Sequence, residues 1–298
     1  MITNQSTLNA MFIGFKADYQ SAFAGAPRDY EKIVTVIPSA TRENAYPWLG
    51  QTFKISEWLG DRVIQNLDAS DYTLKNKKYE GTVAIKRDDI EDDSLGIYKP
   101  VVQGIGRAAG DHPNELVFSL LKNGFTSPCY DGQYFFDPDH PVGLSGREKS
   151  VSNFMGGTGT AWYLMCTSRP LKPLIWQVRR DYEFTNMDAP TDEAVFMREE
   201  YRYGVSARCN AGYGFWQMCV ASRQPLTPEN YAGARAAMLS YVSDVGTPLG
   251  LLPDLLVVPP NLEGAARKIL INDRSDSGAS NEWAGSAETL MTPWLTEA

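Results

Sequence analysis

Histidine is almost missing from this chain: there are two in 298 residues, and the four cysteines include no CxxC pair. That scarcity excludes several chemistries. His112 and His140 cannot form an HExxH zinc site. Cys129, Cys166, Cys209 and Cys219 lack the spacing of a zinc or redox motif. A chain of this length also needs no disulfide staples, so they read as reduced thiols. Lys and Arg form no run, and the formal net charge is −8, so the basic face of a phosphate-neutralising nucleic-acid binder is lacking. No stretch approaches the roughly 20 apolar residues of a membrane span. The opening MITNQSTLNAMFIGF has no basic n-region and no long apolar run, so no signal peptide is expected. Internal repeats and low-complexity tracts are also lacking.

What is present is an ordinary globular composition, 43% hydrophobic and 21% charged, enriched in aromatics (7 Trp, 15 Tyr, 12 Phe). Aromatics fill cores, and they are also enriched at protein interfaces. Leu8, Met11, Phe12, Phe15, Tyr19 and Phe23 recur at helical spacing, and Gly25-Ala26-Pro27 ends that helix. Ile33–Ile37 reads as a strand stopped by Pro38. From Ser39 to about Asp71 there is little periodicity but much apolar bulk, including Tyr46, Trp48, Leu49, Trp58 and Leu59. A loop of this length that exposes such residues needs a cover. Tyr72–Lys75 and Thr82–Lys86 alternate around Asn76-Lys77-Lys78, the pattern of a hairpin. A long helix is expected from about Ile97 to Asn123, kinked or broken near Gly110-Asp111 by Pro113 and capped by Gly124. Thr126–Gly159 is Gly- and Pro-rich loop, and Trp162 to Ala221 is strand-dominated. Thr227-Pro228-Glu229 starts a helix, Leu255–Val258 is a buried strand, and Asn261 begins a further helix. Arg274–Ser280 is polar loop.

Motifs that could carry chemistry are weak. Gly104-Ile-Gly106-Arg-Ala-Ala109 matches a dinucleotide loop, but no full strand feeds it, and small residues for close helix packing explain it better. Gly156-Gly157-Thr158-Gly159 lacks the Lys-Ser or Lys-Thr of a P-loop. Asp88, Asp89, Glu91, Asp92 and Asp93 fail as a calcium loop, because Ser94 and Pro100 stand where Gly and Glu are required; a solvated helix start fits. The distinctive loop Cys129–Pro141 offers Cys129, Asp139 and His140 as nucleophile, acid and base. Nothing fixes an oxyanion site there, and a hydrogen-bonded, turn-rich loop with a satisfied histidine is the alternative. No catalytic residue, metal ligand or cofactor site is assigned.

Several segments in one order resemble the Mu-like phage major head subunit family, the gpT type. They are Phe12-Ile13-Gly14-Phe15; Tyr30-Glu31-Lys32-Ile33; Trp48-Leu49-Gly50; Glu57-Trp58-Leu59-Gly60-Asp61-Arg62; Asp88–Asp93 with Leu95-Gly96-Ile97-Tyr98; the Cys129–Pro141 loop; Tyr203-Gly204, Asn210-Ala211-Gly212 and Phe215-Trp216-Gln217; and Pro248-Leu249-Gly250 leading to Leu256–Pro260. The resemblance implies an α+β, HK97-like capsid fold. Its parts would be an N-terminal arm (1–35), an extended loop with a hairpin (36–90), a peripheral domain with a long spine helix (91–223) and an axial domain (224–298). It implies a non-enzymatic shell subunit of a virion, made in the host bacterial cytoplasm. Copies would form pentamers and hexamers and enclose double-stranded DNA without reading its sequence, alongside scaffold or protease, portal and decoration proteins. An encapsulin-like compartment and a cysteine hydrolase using Cys129 and His140 are the alternatives. Residues expected at contacts between subunits are Leu8, Met11, Phe12, Phe15, Trp48, Leu49, Trp58 and Leu59. On that reading, removing the first 25 residues is expected to impair assembly more than folding. Particle yield and thermal unfolding of the truncated chain measure the two effects.

Overall fold

The computed structural model describes residues 5–49, 71–92, 96–144, 146–274 and 278–296. In chain order the elements are α1 (Gln5–Ala24), β1 (Val34–Pro38), β2 (Glu43–Ala45), β3 (Thr73–Lys75), β4 (Lys77–Lys86), α2 (Arg87–Glu91), α3 (Lys99–Lys122), β5 (His140–Val142), β6 (Lys149–Val151) and β7 (Phe154–Gly157). Then follow β8 (Trp162–Met165), β9 (Leu174–Met187), α4 (Glu193–Arg198), β10 (Glu200–Tyr213), β11 (Cys219–Arg223), α5 (Pro228–Leu239), β12 (Leu255–Val258), α6 (Glu263–Leu270) and β13 (Glu288–Met291).

The strands form two principal sheets. The first has the order β1-β9-β10-β4 and the second β13-β12-β8-β11-β7. In the first, β9 and β10 are antiparallel 14-residue strands, β1 joins β9 in parallel and β4 lies antiparallel to β10. Alternation along β10 buries Tyr201, Tyr203, Ala207 and Cys209 on one face, as expected for a sheet covered on one side. That face packs on α3, and on α1 at one end. Leu8, Phe15, Val102, Ala109, Tyr201 and Tyr203 share one apolar cluster. The other half of α3, with Val117, Phe118 and Leu121, belongs to a second and larger cluster. That cluster also holds residues of β8, β11, β12, α5 and α6. One helix therefore supplies side chains to both cores.

Glycines set how closely α1 approaches α3. A Cβ built on Gly106 would lie 2.5 Å from the Tyr19 carbonyl oxygen, and one on Gly110 would lie 2.4 Å from the Ala26 Cβ. The small-residue reading of this segment holds at Gly106, Ala109 and Gly110. It does not hold at Gly104, where a Cβ would meet nothing within 4 Å. One turn further along α3, buried Asn114 fixes the segment that leaves α1. Its Oδ1 accepts from the Tyr30 amide at 2.9 Å, and its Nδ2 donates to the Pro27 carbonyl at 2.7 Å. His112, between these positions, hydrogen-bonds the Tyr182 hydroxyl and packs edge-on against Tyr79, tying α3 to β9 and β4.

Three expectations need correction. Residues 72–75 and 82–86 do not pair with each other. β3 pairs with β2, whereas β4 pairs with β10. No turn separates β3 from β4; the single residue between them, buried Asn76, donates to Ser39 Oγ and the Thr41 carbonyl and accepts from Gln177 Nε2. α3 is not broken at Pro113 but runs unbroken for 24 residues with that proline buried inside it. Pro113 removes one backbone donor, and burial of α3 along both cores holds the helix through that loss. Gly124 is not a left-handed cap: it lies in a 3-10 turn, and a Cβ there would meet the Phe136 ring at 2.7 Å. It is a packing residue. The second sheet draws its strands from both sides of residue 223: β7, β8 and β11 lie at or before it and β12 and β13 after it. The start of α5 does match expectation, with Thr227 Oγ1 accepting from the Asn230 amide at 3.3 Å. Asp88 and Asp89 sit in the first turn of α2, the solvated helix start.

In an exposed helix, Gly→Ala stabilises by about 1 kcal/mol. At Gly110 the added methyl has no room, so Gly110→Ala is expected instead to destabilise the free subunit by about 1–3 kcal/mol. Denaturant unfolding of the two proteins gives the sign directly.

Candidate functional site

The loop singled out for possible chemistry folds around Asp131. Pro128 and Tyr134 bridge its base, and Gly132 takes φ 86°, the left-handed region that glycine enters freely. Asp131 Oδ1 accepts from the Gln133 amide at 3.1 Å and from the Cys129 thiol at 3.0 Å. Its Oδ2 lies 2.7 Å from His140 Nδ1, which donates because a carboxylate only accepts. His140 is fully buried, stacked on Trp216 at 4.0 Å between ring centroids, with Nε2 3.2 Å from Asn153 Oδ1. Asn153 in turn donates to the Phe135 carbonyl and accepts from the Asp137 amide.

Asp139, the acid expected from sequence, takes no part. Its amide is spent on Asp137 Oδ1 in a local turn and it is exposed. The acid that joins cysteine and histidine is Asp131, which sequence reasoning passed over. The Asp131-Gly132 turn was the available signal, whereas nothing local marked Asn153 or Trp216.

The arrangement does not activate a nucleophile. Burial first, and then the neighbouring Asp131 charge, push the Cys129 thiol far above its ordinary range. The thiol proton is aimed at Asp131, and the histidine nitrogen that could have served as base is engaged with the same carboxylate. For Asp131 itself, burial works to raise the carboxyl, and the hydrogen bonds from His140 and Cys129 outweigh it, leaving the group below its usual value. The donor atoms of Cys129, Asp131 and His140 lie within 4.8 Å of one another, a spacing a metal could bridge. Each is already joined to its neighbour by a hydrogen bond, so the cluster is internally satisfied.

The apolar residues expected at contacts with a neighbouring subunit divide three ways. Leu8 (3% exposed), Phe15 (9%) and Leu49 (2%) are covered by their own chain. Phe15 packs edge-on against Tyr203, and Leu49 lies with Tyr46, Leu74 and Ile175. Met11, Phe12 and Trp48 are half-buried. Phe12 stacks on Phe184, and Trp48 packs against Tyr46 and Phe215. Trp58 and Leu59 lie outside the described residues. The first group is thus buried within its own chain. With the α1 stripe seated in a core of its own subunit, removal of the first 25 residues is expected to lower the melting temperature and not assembly alone.

The model of the Mu-like prophage major head subunit gpT family matches residues 8–295. The major capsid protein of Escherichia phage Mu is 43% identical over 305 aligned positions, covering 99% of this chain and all of that protein. Among solved structures, the procapsid of bacteriophage JBD30 matches at 46% identity and a TM-score of 0.87, over 98% of this chain and 100% of that one. The JBD30 capsid decorated with minor capsid protein trimers matches at 35% identity and a TM-score of 0.78, over 93% and 94%.

Replacing Asp131 by Asn removes the carboxylate that accepts from both His140 Nδ1 and the Cys129 thiol and is expected to cost about 1–3 kcal/mol of unfolding free energy. Because the folded carboxyl titrates below the unfolded one, its contribution is present above about pH 4 and is lost as the pH falls through the lower folded value. Urea titrations of wild type and Asp131→Asn should converge in acid and separate near neutrality.

Proposed function

The chain belongs to the Mu-like prophage major head subunit (gpT) family, and from that membership we propose how its parts serve a shell. It is a major capsid protein with an HK97-like α+β fold, it is not an enzyme, and it assembles with copies of itself as a component of the virion. The observation that carries this conclusion is the similarity to capsid proteins over almost the whole chain. The encapsulin-like and hydrolase readings are not favoured, the second also because the buried Cys129 thiol faces a carboxylate.

In the proposed assembly the first sheet with α1 and α3 forms the peripheral part, and the second sheet with α5 and α6 forms the axial part. Pentamers and hexamers of the chain close an icosahedral shell around double-stranded DNA. The acidic balance supports enclosure without tight phosphate contact, since 36 acidic residues stand against 28 basic ones. Portal and scaffold or protease components complete the head, and minor capsid proteins decorate it, a role supported by the decorated JBD30 particle. Synthesis takes place in the host bacterial cytoplasm. Met11, Phe12, Trp48, Trp58 and Leu59 contribute to contacts between subunits.

Electron microscopy of the purified chain, produced with its head-assembly partners, tests the reading. Closed particles of uniform size are expected, and a monomer with hydrolytic activity that is lost in both Cys129→Ala and His140→Ala would overturn it. Copies of net charge −8 repel one another over a Debye length that shrinks from about 30 Å at 0.01 M salt to about 8 Å at 0.15 M. Particle yield is therefore expected to rise over that range, as light scattering or sedimentation would show.

A further inference from the structure

One contact at the Cys129 loop is mismatched whichever nitrogen of a neutral His140 carries the proton. Among Cys129, Asp131 and His140 themselves each group has its partner; the mismatch lies with Asn153. His140 opens β5 with no exposed surface, and its two ring nitrogens face two acceptors. Nδ1 lies 2.7 Å from Asp131 Oδ2, and Nε2 lies 3.2 Å from Asn153 Oδ1. The asparagine is not free to turn its amide around. Its Nδ2 donates to the Phe135 carbonyl at 2.7 Å and to the Cys219 carbonyl at 3.2 Å, and its Oδ1 also accepts from the Asp137 amide at 3.0 Å. A neutral imidazole has one N–H. Placed on Nδ1, it leaves the Nε2 lone pair against Asn153 Oδ1. Placed on Nε2, it leaves the Nδ1 lone pair against a carboxylate. The second arrangement is the one in which histidines hold metals, with one nitrogen bare towards the ion and the other donating to a fixed oxygen. On the bare side stand two further ligand types, the Cys129 thiol and the Asp131 carboxylate. The three donor atoms lie within 4.8 Å of one another, a spread that bonds of about 2.0–2.3 Å to one ion span.

We propose that Cys129 Sγ, an Asp131 oxygen and His140 Nδ1 bind a divalent cation of the zinc type, with the His140 proton on Nε2. Binding releases one proton: the thiol gives up its S–H, the imidazole proton sits on Nε2 rather than Nδ1, and the carboxylate is already ionised. The product is electrically neutral, because one thiolate and one carboxylate match the two charges of the ion. No net charge is then left in a buried loop. Without the ion, burial and the Asp131 charge keep the thiol protonated; an ion on the sulfur reverses that bias. Thiolate, imidazole and carboxylate are a zinc donor set, whereas calcium and magnesium take oxygen ligands. Asp131, 11% exposed, is the side from which solvent reaches the three groups. A second proton on the ring would also satisfy both nitrogens, but it gives the thiol no part, and the cation uses all three groups. The inference does not depend on the shell reading.

The test uses the full-length chain, stripped with a chelator and desalted. It is titrated with Co²⁺, whose bond to a thiolate gives a charge-transfer band in the near ultraviolet, and then with Zn²⁺, which should displace the cobalt. The band should saturate at one ion per chain, and Zn²⁺ should raise the melting temperature. Because a proton is released, affinity should fall about tenfold for each unit by which the pH is lowered. Cys129→Ser keeps Cys166, Cys209 and Cys219; it should lose the band and weaken Zn²⁺ binding at least about a hundredfold. The wild-type titration reads out the proposal even where a variant fails to fold. No thiolate band and an unchanged melting temperature in Zn²⁺ overturn it, and His140 then carries protons on both nitrogens. A band that survives in Cys129→Ser also overturns it. So does Zn²⁺ uptake without a thiolate band, which is an adventitious ion only.

Discussion

The close seating of α1 on α3 is the constraint from which the rest of the subunit follows. Gly106 and Gly110 let the Tyr19–Ala26 backbone approach until a single Cβ would collide with it. Asn114 then locks the turn that leaves α1 by bonding both the Pro27 carbonyl and the Tyr30 amide. From that turn the chain enters β1, which aligns in parallel with the start of β9 from Val34 to Pro38. The pitch of α3 over the first sheet, the position of β1 at its edge and the entry into the loop after β1 are thus set by three residues on one helix. The same helix carries Val117, Phe118 and Leu121 into the larger core. A tilt of α3 is therefore felt in both halves, and apolar burial of about 1.5–3 kcal/mol per large side chain resists it from each side.

How much of this could be read from the residues depends on how local the cause is. The helical stripe of α1, the start of α5 at Thr227, the buried run of β12 and the strand-rich middle are consequences of short-range pattern, and each was legible. Pairings between strands were not. The alternation in residues 72–86 is real, but it belongs to two strands with different partners. The cue that separates them, Asn76 satisfied by Ser39 and Gln177, lies 37 residues back and 101 residues ahead. Of the kink or break expected at Pro113, the break fails for a related reason: the rule that proline breaks a helix describes the isolated element, and tertiary burial overrides it. In the Cys129 loop the residue types were legible and the partners were not, because Asp131 reaches both Cys129 and His140 only once the Asp131-Gly132 turn has formed.

The α1 stripe shows the limit of a further argument. A terminal apolar helix needs a cover, and the sequence alone does not say whose. Membership in a shell-forming family favoured a neighbour. The matching aromatics that supply the cover, Phe184 and Tyr203, lie on β9 and β10, and they could be matched to the stripe only after the sheet had formed. Aromatic richness fits a core as well as an interface, and Phe15, Tyr19, Phe184 and Tyr203 belong to the inside of this sheet.

The Cys129 loop and the tip formed by α4 between β9 and β10 stand in contrast. In the loop, groups capable of chemistry are buried, and every donor meets an acceptor. The free energy of that network is gained within one chain, so it neither requires nor invites a partner. At the tip the balance runs the other way. The isolated subunit bears a left-handed Glu199 and leaves Phe196 and Met197 in water, and neither feature improves its own stability. Buried Ala194 and Val195, and the bond from the Arg87 amide to the Glu199 carbonyl, show that the tip is held in this form rather than left there by looseness. The buried network therefore belongs to the folding of the single chain, whereas that chain gains nothing from leaving Phe196 and Met197 in water.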